Sequence, residues 1–175
     1  MKIKKFGEKS IAVYHGLGGS PAQDRIDVLK SLGYTHILYD HIDFQKEWEL
    51  DRCKSLMIRQ VNRAKDVDLL MGFSLGGYIA FELAGYISKN LILINPAIDR
   101  TKTKLDIKKL DFVEGKNFKN IEIFLGDSDK LIDKNITIDF INRENIPAKI
   151  EIIKGMEHRV PINYFQEILN KSKLI

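Results

Sequence analysis

The chain has 175 residues, 44% of them hydrophobic and 30% charged, which is the size and make-up of one compact domain with a sizeable core and excludes a disordered tail. A single domain over 1–175 is expected, with no room for a separate cap. The net charge of +4 is mild and comes from 21 lysines and 7 arginines against 24 acidic residues; no arginine cluster alternates with aromatics, so no nucleic acid is expected as a partner.

The first apolar run, SIAVY at 10–14, reads as a strand and leads into His15-Gly16-Leu17-Gly18-Gly19-Ser20-Pro21. A helical pattern follows at 22–32, with Ile26, Leu29 and Leu32 on one side. THILY at 35–39 is a second strand. The segment 47–65 repeats Cys53, Leu56, Met57, Val61 and Ala64 at three- and four-residue spacing, which predicts one helix. DLLMGF at 68–73 is a strand running straight into a helical pattern over 75–87. Strands at 90–95, 120–125 and 148–153 and helices at about 133–144 and 161–170 complete the chain, Pro161 opening the last helix. Asp133 is placed to cap the helix after it. Only 99–119 is loosely patterned; TKLDIKKLDF within it could form a short helix, and its lysines and Arg100 could attract anionic substrates.

Continuous isoleucine-rich strands alternating with helices describe an open, doubly wound α/β domain: a three-layer sandwich around a mostly parallel sheet of about six strands. Ligands in such a domain sit at the carboxyl ends of the strands. The longest strongly apolar stretch, LILINPA at 91–97, is far short of the ~18 residues a bilayer demands, and no apolar leader follows the N-terminal lysines. With Cys53 as the single cysteine there is no internal disulfide. A cytoplasmic protein without a membrane span is expected.

At the end of the third strand stands Gly72-Phe73-Ser74-Leu75-Gly76-Gly77. Gly-x-Ser-x-Gly between strand and helix places a serine on a sharp, strained turn, where a Cβ two residues to either side would collide with it. Gly77 would let the helix approach the sheet closely. A serine hydroxyl is a weak nucleophile without a base that is itself held in place. In the order serine, acid, histidine, the acid is sought after a later strand and the histidine after the last one. FLGDSDKLID supplies Asp127 and Asp129, and IIKGMEHRV supplies His158. Asp129 is favoured because Leu131 and Ile132 can anchor the chain behind it, and Asp127 stays open. Glu157 reads as solvated, His15 as a structural residue of the first loop, and His36 as packing within an apolar strand; His41 has no assigned role.

A carbonyl under attack gathers negative charge on oxygen, so converging N–H donors are needed. The N–H of Leu75 follows from the turn, and the N–H of Leu17 is the candidate from the glycine-bearing first loop. That loop lacks the Lys-[Ser/Thr] ending of a Walker loop and the third spaced glycine of a dinucleotide fingerprint. The four histidines are scattered, against a zinc centre, and the chemistry calls for no cofactor.

Together, HGLGGSP, GFSLGGY, INPA and GDSDKLID resemble motifs of the α/β-hydrolase superfamily and, within it, the small bacterial esterases of the YqiA type. The resemblance spans essentially the whole chain. It implies a compact α/β-hydrolase-like fold and a serine esterase with Ser74 as nucleophile, Asp129 as acid, His158 as base and Leu17 and Leu75 as oxyanion donors. Asn95-Pro96-Ala97 would line the pocket edge, and 99–119 stands where larger relatives insert a lid. The expected partner is a small ester or thioester. A peptidase or amidase, an acyltransferase, and a binding protein that retained the fold without the chemistry are the alternatives. Oligomeric state is not indicated by the sequence.

Overall fold

A computed structural model describes residues 8–47, 50–99 and 117–175. The described elements are β1 (Lys9–Tyr14), α1 (Gln23–Ser31), β2 (Tyr34–Leu38), α2 (Phe44–Glu47), α3 (Leu50–Ala64), β3 (Leu69–Phe73), α4 (Ser74–Ile87), β4 (Asn90–Ile94), β5 (Ile121–Gly126), α5 (Lys134–Arg143), β6 (Ala148–Ile153) and α6 (Ile162–Lys171). The expected short helix and lysine run fall mostly within 100–116, outside the described residues.

The six strands form one sheet in the order β2-β1-β3-β4-β5-β6, and every neighbouring pair is parallel. Alternation along the strands divides the core into two layers. Ala12, Leu70, Leu91, Leu93, Ile123 and Leu125 pack with Cys53, Leu56 and Met57 of α3, Tyr78, Phe81 and Leu83 of α4, and Ile141 of α5. On the opposite face Ile11, Val13, Met71, Ile92, Ile94 and Phe124 meet Leu29 of α1 and Phe165, Ile168 and Leu169 of α6. Each fully buried Val, Leu, Ile, Phe or Met among them stabilises the fold by roughly 1.5–3 kcal/mol. The result is a three-layer α/β sandwich, with no cap domain among the described residues.

The helix expected over 47–65 is described as α3 from Leu50 to Ala64, with residues 48 and 49 outside the described residues. One element differs from the sequence expectation. His36 is exposed, contrary to its reading as packing. The reason is topological: β2 pairs only with β1 and forms an edge of the sheet.

Strand order locates the site. From β1 the chain crosses outward to β2 and then returns to β3 on the other side of β1. The loops after β1 and β3 therefore diverge above adjacent strands and leave a crevice between them. Tyr14 pairs with Gly72, Phe73 with Ile94 and Gly126 with Ile153. The loops that follow these strands consequently emerge along one edge. Asp133 caps α5 by accepting from the Asn135 N–H at 2.9 Å.

Candidate active site

Ser74 opens α4 with φ of +50°, a conformation that costs a non-glycine residue energy unless its surroundings impose it. The surroundings are glycine contacts. A Cβ at Gly72 would lie 2.6 Å from both the Gly76 oxygen and the Gly77 Cα. At Gly76 it would strike the carbonyl oxygens of Tyr14 and His15, and at Gly77 it would lie 2.7 Å from the Pro96 Cβ. The collisions that exclude larger residues at 72 and 76 are thus with backbone of α4 and of the β1 end rather than with the serine itself. At Gly77 the close neighbour is the loop after β4.

The β1 loop presses against the serine from the other side, since a Cβ on Gly16 would be 2.9 Å from the Ser74 Cβ. His15 locks that loop. Its Nε2 accepts from the Ile42 N–H at 2.8 Å, so the proton sits on Nδ1, which donates to the Gly16 carbonyl at 2.7 Å. Burial lowers the pKa of His15, and the nearby His41 lowers it further, against the opposing pull of the Gly16 carbonyl. The ring lies between His41, stacked at 5.3 Å, and the edge of Phe44 at 5.6 Å. His15 is therefore a neutral strut, in keeping with its structural reading, and His41 is its stacking partner.

Facing this wall are the loops after β5 and β6. His158 Nε2 lies 3.0 Å from Ser74 Oγ, and its Nδ1 lies 2.8 Å from Asp129 Oδ2. An ionised carboxylate only accepts, so Nδ1 carries the ring proton and the Nε2 lone pair faces the serine hydroxyl. Asp129 Oδ1 accepts from the N–H groups of Leu131 at 2.8 Å and Ile132 at 2.9 Å. Burial disfavours ionisation of this carboxyl, but hydrogen bonds from His158, Ile132 and Leu131 outweigh it and lower the pKa. Asp127, the other candidate acid, turns elsewhere. Its Oδ1 accepts from the Gly155 N–H at 2.7 Å and from the Ser128 hydroxyl at 3.0 Å, and the Gly155 bond leads the causes that lower its pKa.

Asn95 has a part that the sequence did not reveal. Held at φ of +43°, it is buried among the strand ends instead of lining the pocket edge as expected. Its Nδ2 donates to the Glu157 carbonyl at 2.9 Å, and its Oδ1 accepts from the Gly126 N–H at 2.7 Å. One amide thus ties the end of β4 to the last residue of β5 and to the residue before His158. An asparagine ending a strand is among the few residues that tolerate this backbone, which is the one signal the sequence carried. Glu157 itself is exposed, as expected.

A cleft of about 580 Å³ opens over Ser74 and His158. Its walls are Gly16 to Ser20 of the β1 loop, Phe73, Leu131, Arg25 of α1 and Arg159 to Pro161. Leu17 is 52% exposed on the rim, whereas Ser74 is 8% exposed at the base. Leu75 is the second residue of α4, so its N–H has no carbonyl four residues back within the helix to take it up. Among the described residues no group of three or more His, Cys, Asp or Glu could hold a metal ion, and no helix is long and apolar enough to cross a membrane.

A parallel α/β sandwich with serine and histidine meeting above its strand ends shares its fold with solved α/β serine hydrolases. Est1E from Butyrivibrio proteoclasticus has a similar structure, with a TM-score of 0.68 and 18% identity over 94% of this chain and 86% of that one. A lidless α/β serine hydrolase from Xanthomonas campestris gives 0.65 and 18% over 92% and 78%. SOBER1 from Arabidopsis thaliana gives 0.63 and 14% over 94% and 97%. At such identities the likeness is one of fold. The chain belongs to the uncharacterised protein family UPF0227, whose model matches residues 11–111. No curated protein matches it.

Proposed function

We propose that this single-domain protein is a serine hydrolase of the small YqiA-type esterase kind, cleaving carboxylic ester or thioester bonds of small molecules. The observation that carries the reading is the pair of contacts on one imidazole, 3.0 Å to Ser74 Oγ and 2.8 Å to Asp129 Oδ2. In the proposed reaction His158 Nε2 takes the hydroxyl proton as Ser74 Oγ bonds to the substrate carbonyl carbon. The oxyanion accepts hydrogen bonds from the N–H groups of Leu17 and Leu75. Collapse breaks the bond to the alcohol or thiol, which leaves with the proton from Nε2. Water, deprotonated by the same nitrogen, then attacks the acyl-serine and restores Ser74 with release of the acid. Asp129 keeps the proton on Nδ1 and stabilises the imidazolium.

Burial of Ser74 at the base of an open cleft suits small substrates. Cys53 is buried in the core and is the only cysteine of the chain, which suits a cytoplasmic address. The test is labelling with a fluorophosphonate followed by peptide mapping. Adduct on Ser74 in the folded protein, lost on denaturation and in His158→Ala, is the expected result; absence of labelling in folded protein would leave a binding role for the cleft.

A further inference from the structure

We infer that the cleft takes a short ester bearing a carboxylate, held beside Ser74 by Arg25 and Arg159. The inference rests on the ester-hydrolase reading and names its substrate class. The cleft lining includes two arginines and no aspartate or glutamate. Asp129 lies beneath His158 with its side chain 1% exposed and its oxygens engaged by His158, Leu131 and Ile132. The described walls therefore carry two positive charges with no negative charge among them.

Arg25 is half-buried on α1, and its position is fixed by contacts that leave its charge uncompensated. The guanidinium carbon lies 4.4 Å from the Phe73 ring centroid and 5.5 Å from that of Phe165. Nη2 donates to the Val160 carbonyl at 2.8 Å. Aromatic faces and a carbonyl attract the cation without neutralising it, and a guanidinium has five N–H donors. Phe73 directly precedes Ser74 and Val160 follows His158 by two residues, so Arg25 is anchored to the backbone that carries both reactive side chains. Arg159, next to His158, is exposed on the same wall. Neither guanidinium has a carboxylate partner among the described residues; the Asp24 carboxylate accepts only from the backbone N–H of Arg25, at 2.8 Å. A planar, partly desolvated guanidinium suits a carboxylate through paired charge-assisted hydrogen bonds. The sequence drew the same expectation of anions from the lysines of 99–119, whereas these arginines come from α1 and the β6–α6 loop.

The test compares kcat/KM for ethyl hydrogen succinate, a monoanion, with that for neutral ethyl butyrate, both read by ethanol release. The wild type should prefer the anion at 0.01 M salt and lose part of that preference at 0.15 M, as the Debye length falls from ~30 to ~8 Å. Arg25→Gln should lower the anion-to-neutral ratio roughly tenfold, the scale of one hydrogen bond to a charged group. Arg159→Gln should lower it by a smaller factor. Arg25→Lys, which keeps the charge without the planar fork, should restore part of the ratio; a purely packing role for Arg25 predicts no such recovery. An unchanged ratio in both glutamine variants, or a wild type indifferent to substrate charge, overturns the inference. Ethyl butyrate turnover reports separately on the ester-hydrolase reading. If neither ester is cleaved, calorimetric titration with succinate still decides the anion site: binding lost in Arg25→Gln supports it, and no binding to the wild type overturns it.

Discussion

The two walls of the cleft are held by different forces. On the serine side, Gly16, Gly72, Gly76 and Gly77 let the β1 loop, β3, α4 and the β4 loop approach to distances that admit no extra carbon. On the histidine side, Asp129, Asp127 and Asn95 bind backbone N–H or carbonyl groups of the loops after β5 and β6. The first wall is sensitive to volume, and the second to polarity and charge. Repulsion at short range rises too steeply to allow much relaxation, whereas a lost hydrogen bond can be partly replaced by water at an exposed loop.

The two walls meet at Ser74 and His158. Ser74→Ala removes the proposed nucleophile while leaving its glycine neighbours in place. Ester turnover should fall by about 10⁴-fold or more with an unchanged circular dichroism spectrum. Turnover near wild type would detach the serine wall from the chemistry altogether.

Next in size is the polar wall. Asp129→Asn should lower kcat by roughly 10³- to 10⁴-fold, because the amide can present N–H to Nδ1 and favour the wrong tautomer. Asp127→Asn should cost far less, since Asp127 binds Gly155 and Ser128 rather than the imidazole. Parallel kinetics on the two variants check this; a larger loss at 127 would assign the imidazole partner to Asp127.

Volume sensitivity is tested at Gly76→Ala, where the added methyl meets the Tyr14 and His15 carbonyls. Destabilisation of roughly 3 kcal/mol or more is expected in urea unfolding. Asn95→Ala, its polar counterpart, should cost roughly 2 kcal/mol for the stranded Gly126 N–H and Glu157 carbonyl. It should also lower kcat more than it changes KM, because the freed backbone leads into His158. Equal stability losses would erase the distinction between the walls.

The smallest effect concerns pH. The pKa of His15 is lower in the folded protein than in the unfolded chain, whose ordinary value is about 6.5. Between those two values the unfolded chain binds a proton that the folded one does not, so stability declines as pH falls through that interval. Above it the contribution is fully present. Urea midpoints measured from pH 8 to 5 should fall more in the wild type than in His15→Gln; parallel curves would remove His15 from the acid response.

The strands and most helices were legible because periodicity is local: isoleucine-rich runs bury both faces, and three- to four-residue spacing marks α3 and α6. Ser74 was legible for a similar reason, since strand, glycine, serine, glycine and helix stand within a few positions. His36 was misread because an apolar neighbourhood does not tell an edge strand from a central one. Asp127 and Asp129 could not be separated by spacing, being two residues apart in one loop.

By itself the sequence determined the parallel α/β order, the strained serine at the end of β3, and an aspartate-bearing loop followed by a histidine. Those features depend on residues adjacent in the chain. Only the tertiary structure decided which aspartate faces His158 across 29 positions, that Asn95 ties down the turn before it across 62, and that Arg25 reaches the Val160 carbonyl across 135. Such contacts depend on where the sheet brings its loop ends, and that follows from the packing of the two core layers rather than from any local preference.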